Sequence, residues 1–215
     1  MKDLIIIGIG GCGRETAWIA ERINKVNPTW NFLGYLDDNP AAQNTIVNNY
    51  PVLGKVDDAV NYPQAYFVCA IGASKIKEKV VNRIKALLPE AHFATLIDPS
   101  VKMSDFVSIG EGTIICANIT ITVNITIGSH VLLNFDCTVG HDAVIHDFAT
   151  LYPSVNVSGA TEIGCCTEMG TGTQIIQGKR VGDYCIIGAG SVIIRDIPSK
   201  CTAVGCPARP IKFFD

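Results

Sequence analysis

From Ile97 to Ile193 every sixth residue is aliphatic, and the series runs through Ile115, Ile121, Ile127, Leu133, Val139, Ile145, Leu151 and Ile163 without an insertion. Four residues after each lies a second column, from Val101 through Cys137, Ala143, Ala149, Thr161 and Cys185 to Ile197, in which only Lys179 is neither apolar nor small. A period of six fits neither an α-helix nor a hairpin array. It fits a short two-sided strand and a turn, repeated around a polygon. The first column then supplies a large inward side chain and the second a small one near the corner, so Cys137 and Cys185 read as core residues. Gly follows the aliphatic at Gly110, Gly128, Gly140, Gly164, Gly170, Gly182 and Gly188. With three such hexads per coil, residues 18 apart stack one strand spacing, roughly 4.8 Å, along the axis. Lys179 predicts a local bulge or an outward turn between Ile175 and Arg180.

Residues 1–96 follow another pattern. Leu4–Gly8, Phe32–Leu36 and Tyr66–Ala70 read as buried parallel strands, Arg14–Lys25 as a helix, and Phe93–Leu96 as a short strand leading into the repeats. Ser74 is expected to cap a second helix with apolar face Ile76, Val80, Val81, Ile84, Leu87 and Leu88, and with Lys75, Lys77, Lys79, Arg83 and Lys85 mostly opposite. The result is a small βαβ-type domain, followed by an all-β domain over 97–215. Its first turn, Gly8-Ile-Gly-Gly-Cys-Gly13, is a G-x-G-x-x-G between strand and helix. Glycines there let backbone approach a phosphate at a helix N-terminus, and Asp37 and Asp38 end the next strand, where an acid reaches a ribose hydroxyl. About 96 residues hold barely more than one mononucleotide half. The expected ligand is therefore one nucleotide's phosphate and sugar and not a dinucleotide. A Gly-rich turn with no ligand is the competing reading.

At 48% hydrophobic and 17% charged, the 215 residues form a core. A net charge of −3 without a basic stripe argues against nucleic acid. No apolar stretch approaches the length of a membrane span, so no membrane association is expected. Nine scattered cysteines, with no signal-peptide pattern, point to reduced thiols in the cytoplasm.

The chain resembles the sugar O- and N-acetyltransferases related to the sialic acid O-acetyltransferases and the nucleotide-linked 4-amino-sugar N-acetyltransferases. The resemblance rests on Ile6–Glu15, Leu36-Asp-Asp38, Ala70-Ile-Gly72, Leu133-Asn134, Val139-Gly-His-Asp-Ala-Val-Ile145, Ile187–Val192 and Ala203-Val-Gly-Cys-Pro-Ala-Arg209. It implies a truncated Rossmann-like α/β domain followed by a left-handed parallel β-helix of hexapeptide repeats. It also implies a homotrimer and acetyl-CoA as co-substrate, in bacterial glycan and O-antigen synthesis, with no metal. Carried over by motif, His141 is the general base and Asp142 its carboxylate. Gly10, Gly11, Cys12, Asp37, Asp38 and Gly72 line the nucleotide-sugar site. Thr150, Gly159, Thr171 and Ala189 match acetyl-CoA contact positions. Cys12 and Thr150 depart from the family pattern, which has His or Phe at the first and His in some members at the second.

The chemistry agrees with these residue types. Acetyl transfer from a thioester to an amine needs a neutral amine, a proton acceptor and a donor for the developing oxyanion. An imidazole titrates near neutral pH, and an adjacent carboxylate holds its tautomer. Gly159 lies one coil above His141, where its N–H is a candidate oxyanion donor. Of the other histidines, His92 reads as structural, His130 as a solvated turn, and His146, next to Asp147, rivals His141 on local chemistry alone. Other readings remain open: O-acetylation of sialic acid or another sugar hydroxyl, a β-helix metalloenzyme using His141 and His146, and a non-catalytic nucleotide-binding trimer. The metal reading is weakened because position 105, two coils before His141, is Asp and not a third His.

Overall fold

The computed structural model describes residues 1–214. Strands β1 (Lys2–Ile7), β2 (Trp30–Leu36), β3 (Ile46–Val47), β4 (Tyr50–Gly54), β5 (Tyr66–Cys69) and β6 (His92–Phe93) form one sheet in the order β3-β4-β2-β1-β5-β6. The ladders are parallel except for the β3–β4 hairpin. Helices α1 (Gly11–Val26) and α2 (Ser74–Leu87) connect them. Leu4, Ile5, Ile6 and Ile7 of β1 are all buried, as a strand covered on both faces requires. The β3–β4 hairpin carries no strong alternation and was not expected. The expected final strand divides in two: His92–Phe93 completes this sheet, and Leu96–Ile97 starts the next structure.

From Leu96 the chain winds through three flat faces. Face A stacks Leu96–Ile97, Ile114–Ile115, Leu132–Leu133, Thr150–Leu151, Glu168–Met169 and Ile186–Ile187. Face B stacks the pairs from Lys102–Met103 to Val192–Ile193, and face C the strands from Val107–Ile109 to Arg180–Val181. Every ladder within a face is parallel with an 18-residue step, as in Ile115↔Leu133 and Leu133↔Leu151. Cys201–Val204 extends face A and pairs antiparallel with Arg209–Phe213. The long aliphatics point inward: Leu133, Ile145, Leu151, Ile163 and Ile193 are 0% exposed, and so are Cys137 and Cys185. Met103 is 40% exposed because no coil lies beneath the first one.

The corners explain the period. From Gly112 to Gly190 every sixth residue has a left-handed φ, including Asn124, His130, Asp142, Phe148 and Ala160. The glycines that follow the aliphatics serve another purpose. A Cβ on Gly140 would sit 2.7 Å from the Gly159 nitrogen, so the coils stack too closely there for a side chain. The expected irregularity at Lys179 is absent. Its carbonyl accepts from Glu162 N–H at 3.0 Å, and the face C register continues through Glu162↔Arg180. The half-buried Lys179 side chain leaves the corner without distorting it.

The first unit packs on the outside of face A, whose outward residues Leu96, Ile114 and Leu132 are at most 3% exposed. Arg22 of α1 donates to Asp98, whose side chain is fully buried. His130 is not solvated. It is 1% exposed, stacked on Phe148 and edge-on to Phe93, with neither ring nitrogen hydrogen-bonded. Burial, together with Lys85 and Lys77, pushes its pKa down to about 3. The folded chain therefore resists a proton that the unfolded chain takes near pH 6.5. The stability held at higher pH is lost as pH falls through that window, by about 2 kcal/mol between pH 7 and 5. Urea denaturation at the two pH values measures this. His130→Leu is expected to flatten the dependence, and an unchanged slope in that variant would assign the acid sensitivity elsewhere. Among the described residues no helix is long and apolar enough to cross a membrane.

Candidate active site

The Gly-rich turn divides into structural and open positions. A Cβ on Gly13 would lie 1.9 Å from the Gly8 carbonyl oxygen, and Gly8 itself has φ +101°. These two glycines are required by the strand–helix packing. Gly10 and Gly11 have no atom within 4 Å of an added Cβ, so nothing inside the chain needs them to be glycine, and they leave free space at the start of α1. Helix α1 begins at Gly11, three residues earlier than expected, which turns its first N–H groups toward this space. Asp37 fixes the turn by accepting from Ile9 N–H at 2.9 Å. Asp38 accepts from Val56 N–H at 3.0 Å and pairs with Arg83 at 2.6 Å. Gly8, Asp37 and Asp38 line a cleft of about 190 Å³ with Val56, Ile76 and Val80. Cys12 is half-buried beside the core, and burial pushes its thiol up to about 11, so it stays protonated and is a poor nucleophile.

Where the first unit meets face A, polar groups missed by the sequence reading come together. Helix α2 begins at Ser74, and Ala73, the residue before it, offers no capping side chain. Ser74 donates its N–H to Glu168 Oε1 at 2.9 Å and its hydroxyl to Thr150 Oγ1 at 3.1 Å. Lys77 does not lie on a solvated face as expected. It is 1% exposed and donates to Thr150 Oγ1 at 3.0 Å and to the Ala149 carbonyl at 3.3 Å. Burial lowers its pKa to about 8. Helix α2 packs against two surfaces, the sheet and face A, and its buried positions Ser74, Lys77, Val81 and Ile84, three and four residues apart, form one stripe that is rotated from the expected apolar stripe and takes in Ser74 and Lys77. Ile76 and Leu87, expected on that stripe, are 54% and 44% exposed. Thr150 is thus sealed beneath α2 and offers no surface to acetyl-CoA. Tyr152 donates to Glu168 Oε2 at 3.1 Å, and its hydroxyl lies 3.4 Å from where a Gly72 Cβ would stand.

His141 and Asp142 occupy the corner between faces B and C. His141 is half-exposed, and its Nδ1 lies 2.8 Å from Asp142 Oδ2. Hydrogen bonds from His141 and Asn124 hold the Asp142 carboxyl below its ordinary pKa. Asp142 is therefore an anion at neutral pH, keeping the proton on Nδ1 and leaving Nε2 free to accept one. Gly159 stacks directly above: a Cβ there would lie 2.5 Å from His141 Nε2. The Gly159 N–H makes no hydrogen bond among the described residues. On the same corner, one and two coils above Ser158, Ile176 and Ile194 are 43% and 39% exposed, a surface apolar column that an 18-residue count would have found. His146 has its own partner on face C, Glu162 Oε1 at 2.8 Å, which also faces Arg180 at 3.5 Å. Among the described residues no three His, Cys, Asp or Glu side chains converge as a metal site would need.

Within one chain these groups occupy different corners of the coil. Thr171 and Ala189 stack one coil apart on the corner between faces A and B, joined through Gly190 N–H to the Thr171 carbonyl at 2.8 Å. The Gly-rich turn, Gly72 and Tyr152 also lie toward face A. His141 and Gly159 stand at the other corner of face B, one hexad along the chain.

The PglD N-terminal domain model matches residues 3–84. Among solved structures, the acetyltransferase domain of PglB from Neisseria gonorrhoeae is 30% identical with a TM-score of 0.88, covering 98% of this chain and 100% of that one. A histidine-to-asparagine variant of perosamine N-acetyltransferase from Caulobacter crescentus, in complex with CoA and GDP-perosamine, is 25% identical with a TM-score of 0.87, covering 99% and 98%. Among curated proteins, the dTDP-3-amino-3,6-dideoxy-alpha-D-galactopyranose 3-N-acetyltransferase of Aneurinibacillus thermoaerophilus is 51% identical over 35 residues, 16% of this chain. The chain matches only 16% to 18% of the length of the curated relatives. With 98% of its length shared at 30% identity with the acetyltransferase domain of PglB, and residues 3–84 matching the PglD N-terminal domain, this chain belongs to the sugar acetyltransferase family.

Proposed function

We propose that the chain transfers the acetyl group of acetyl-CoA directly to the amine of a nucleotide-linked amino sugar, the 4-amino group, with His141 as general base. The observation that carries this is the His141–Asp142 pair beneath an unsubstituted Gly159. The neutral amine attacks the thioester carbonyl and forms the C–N bond. His141 Nε2 takes the ammonium proton, and the Gly159 N–H stabilises the oxyanion. The C–S bond breaks, and the imidazolium returns its proton to the CoA thiolate. No acyl-enzyme is needed.

In this reading residues 1–96 are a truncated Rossmann-like domain that holds the nucleoside diphosphate at Gly10, Gly11, Asp37 and Asp38. Residues 97–215 are a left-handed β-helix. Because His141 and Gly159 stand on a different corner from Thr171 and Ala189, the complete site forms between copies of a homotrimer. There the corner bearing His141 and Gly159 faces the neighbour's corner bearing Thr171 and Ala189. The nine cysteines are unpaired, the state expected of a chain working in a reducing cytoplasm. A panel of UDP-, dTDP- and GDP-linked 3-amino, 4-amino and hydroxyl sugars, plus free sialic acid, tests the function by thiol release from acetyl-CoA. Turnover only with a 4-amino nucleotide sugar is expected. Turnover with sialic acid alone would replace this reading by O-acetylation.

A further inference from the structure

Helix α2 has an unusual cap. A helix exposes four N–H groups at its start, normally met by a Ser, Thr, Asp or Asn at the preceding position. Here that position is Ala73, which supplies nothing. The acceptor comes instead from the β-helix, 94 residues further along the chain: Glu168 Oε1 takes the Ser74 N–H at 2.9 Å. A carboxylate at this end of a helix also meets the positive pole of the helix dipole. Glu168 is itself held in place, because Tyr152 donates to its other oxygen at 3.1 Å. The Tyr152 ring stands against Gly72, so the residue leading into α2 is braced by the same pair. Burial and Glu168 push the Tyr152 phenol up, so it remains a donor throughout the working pH range.

This segment lies against the proposed ligand cleft. Ile76 and Val80, in the first two turns of α2, line it together with Asp37 and Asp38. Arg83, further along the same helix, reaches Asp38 at 2.6 Å. A shift of the α2 start therefore moves one wall of the cleft and the partner of one of its acids.

We propose that Glu168 and Tyr152 are positioning residues of the nucleotide-sugar site: the β-helix caps and braces the helix that walls that site, so nucleotide binding in the first unit depends on two side chains of the second. The inference rests on the reading of the cleft given above. Neither residue touches the reacting atoms, and both lie away from the corner that holds His141. The expected signature is thus a split between the two substrates.

Titration calorimetry with UDP, dTDP and GDP on the full chain, with steady-state kinetics on the accepted nucleotide sugar, tests this. Glu168→Ala is expected to weaken nucleoside diphosphate binding and raise the nucleotide-sugar KM about tenfold or more. The acetyl-CoA KM should stay within about twofold and kcat within about threefold. Glu168→Gln keeps an amide oxygen for the Ser74 N–H and is expected to restore most of the affinity. Tyr152→Phe, which frees one Glu168 oxygen, should fall between them. If Glu168→Ala leaves nucleotide affinity unchanged, or if Glu168→Gln is as damaged as Glu168→Ala, the positioning role is overturned. Equal loss for both substrates would mark a general packing defect and overturn it as well. Should the unsubstituted chain bind none of the three diphosphates, the cleft reading itself fails, a result distinct from failure in the variants alone.

Discussion

His141→Ala is expected to lower kcat by about 10²–10⁴-fold, the usual worth of a positioned general base, while acetyl-CoA affinity changes little. The imidazole is half-exposed on a corner, outside the buried columns that fill the coil, so its removal should leave the coil intact. Asp142→Asn should cost less, because Asp142 orients and polarises the ring at 2.8 Å without taking the proton. His146→Ala is the internal control. Its ring is engaged by Glu162 on face C, and activity should stay near that of the unsubstituted chain. Thiol release at saturating substrate, with calorimetry for CoA, separates the outcomes. Turnover lost in His146→Ala but retained in His141→Ala would transfer the base assignment.

The second large effect is recovery of activity by mixing two inactive chains. A Cβ added at Gly11 meets no atom within 4 Å, so Gly11→Phe can place its ring in the open space at the start of α1. It should block the nucleotide site while leaving His141 untouched. His141→Ala does the reverse. If each site joins the catalytic corner of one copy to the nucleotide cleft of the next, random co-assembly makes about one site in four intact. Activity should therefore return to about a quarter of the unsubstituted level after unfolding and refolding the two variants together. Sites contained within one chain would give no recovery at any mixing ratio. Sedimentation equilibrium on each variant confirms that it still assembles.

The repeat was legible because each coil obeys the same geometric condition. An inward position meets the same neighbours one coil up and down, so Ile115, Leu133 and Leu151 had to be alike. His141 and Gly159 were legible as stacked residues for the same reason, and the ring does lie beneath the glycine. Lys77 and Thr150 were misread because each meets a surface from a distant part of the chain. A lysine among five basic residues looks solvated until the face that covers it is known. Thr150 stands in a register position that faces solvent on faces B and C, and it is buried only because the first unit covers face A. His130 shows the same limit: an isolated polar residue at a turn becomes an unpartnered buried ring between Phe93 and Phe148.

The six-residue period in the sequence determined the repeated strand and turn of the coil, because it depends only on neighbours at constant separation, and the apolar run with its Gly-rich turn marked the strand–turn–helix that opens the chain. The 18-residue step needed three hexads per coil, which the resemblance implied and the ladders show. Tertiary structure alone decided which face the first unit covers, which glycines are free for a ligand, and that α2 takes its cap from Glu168. These depend on contacts between segments far apart in the chain, with no shared period to announce them. The covering of face A also fixes where the cleft beside Asp37 and Asp38 stands relative to the coil that carries His141, which local pattern does not encode.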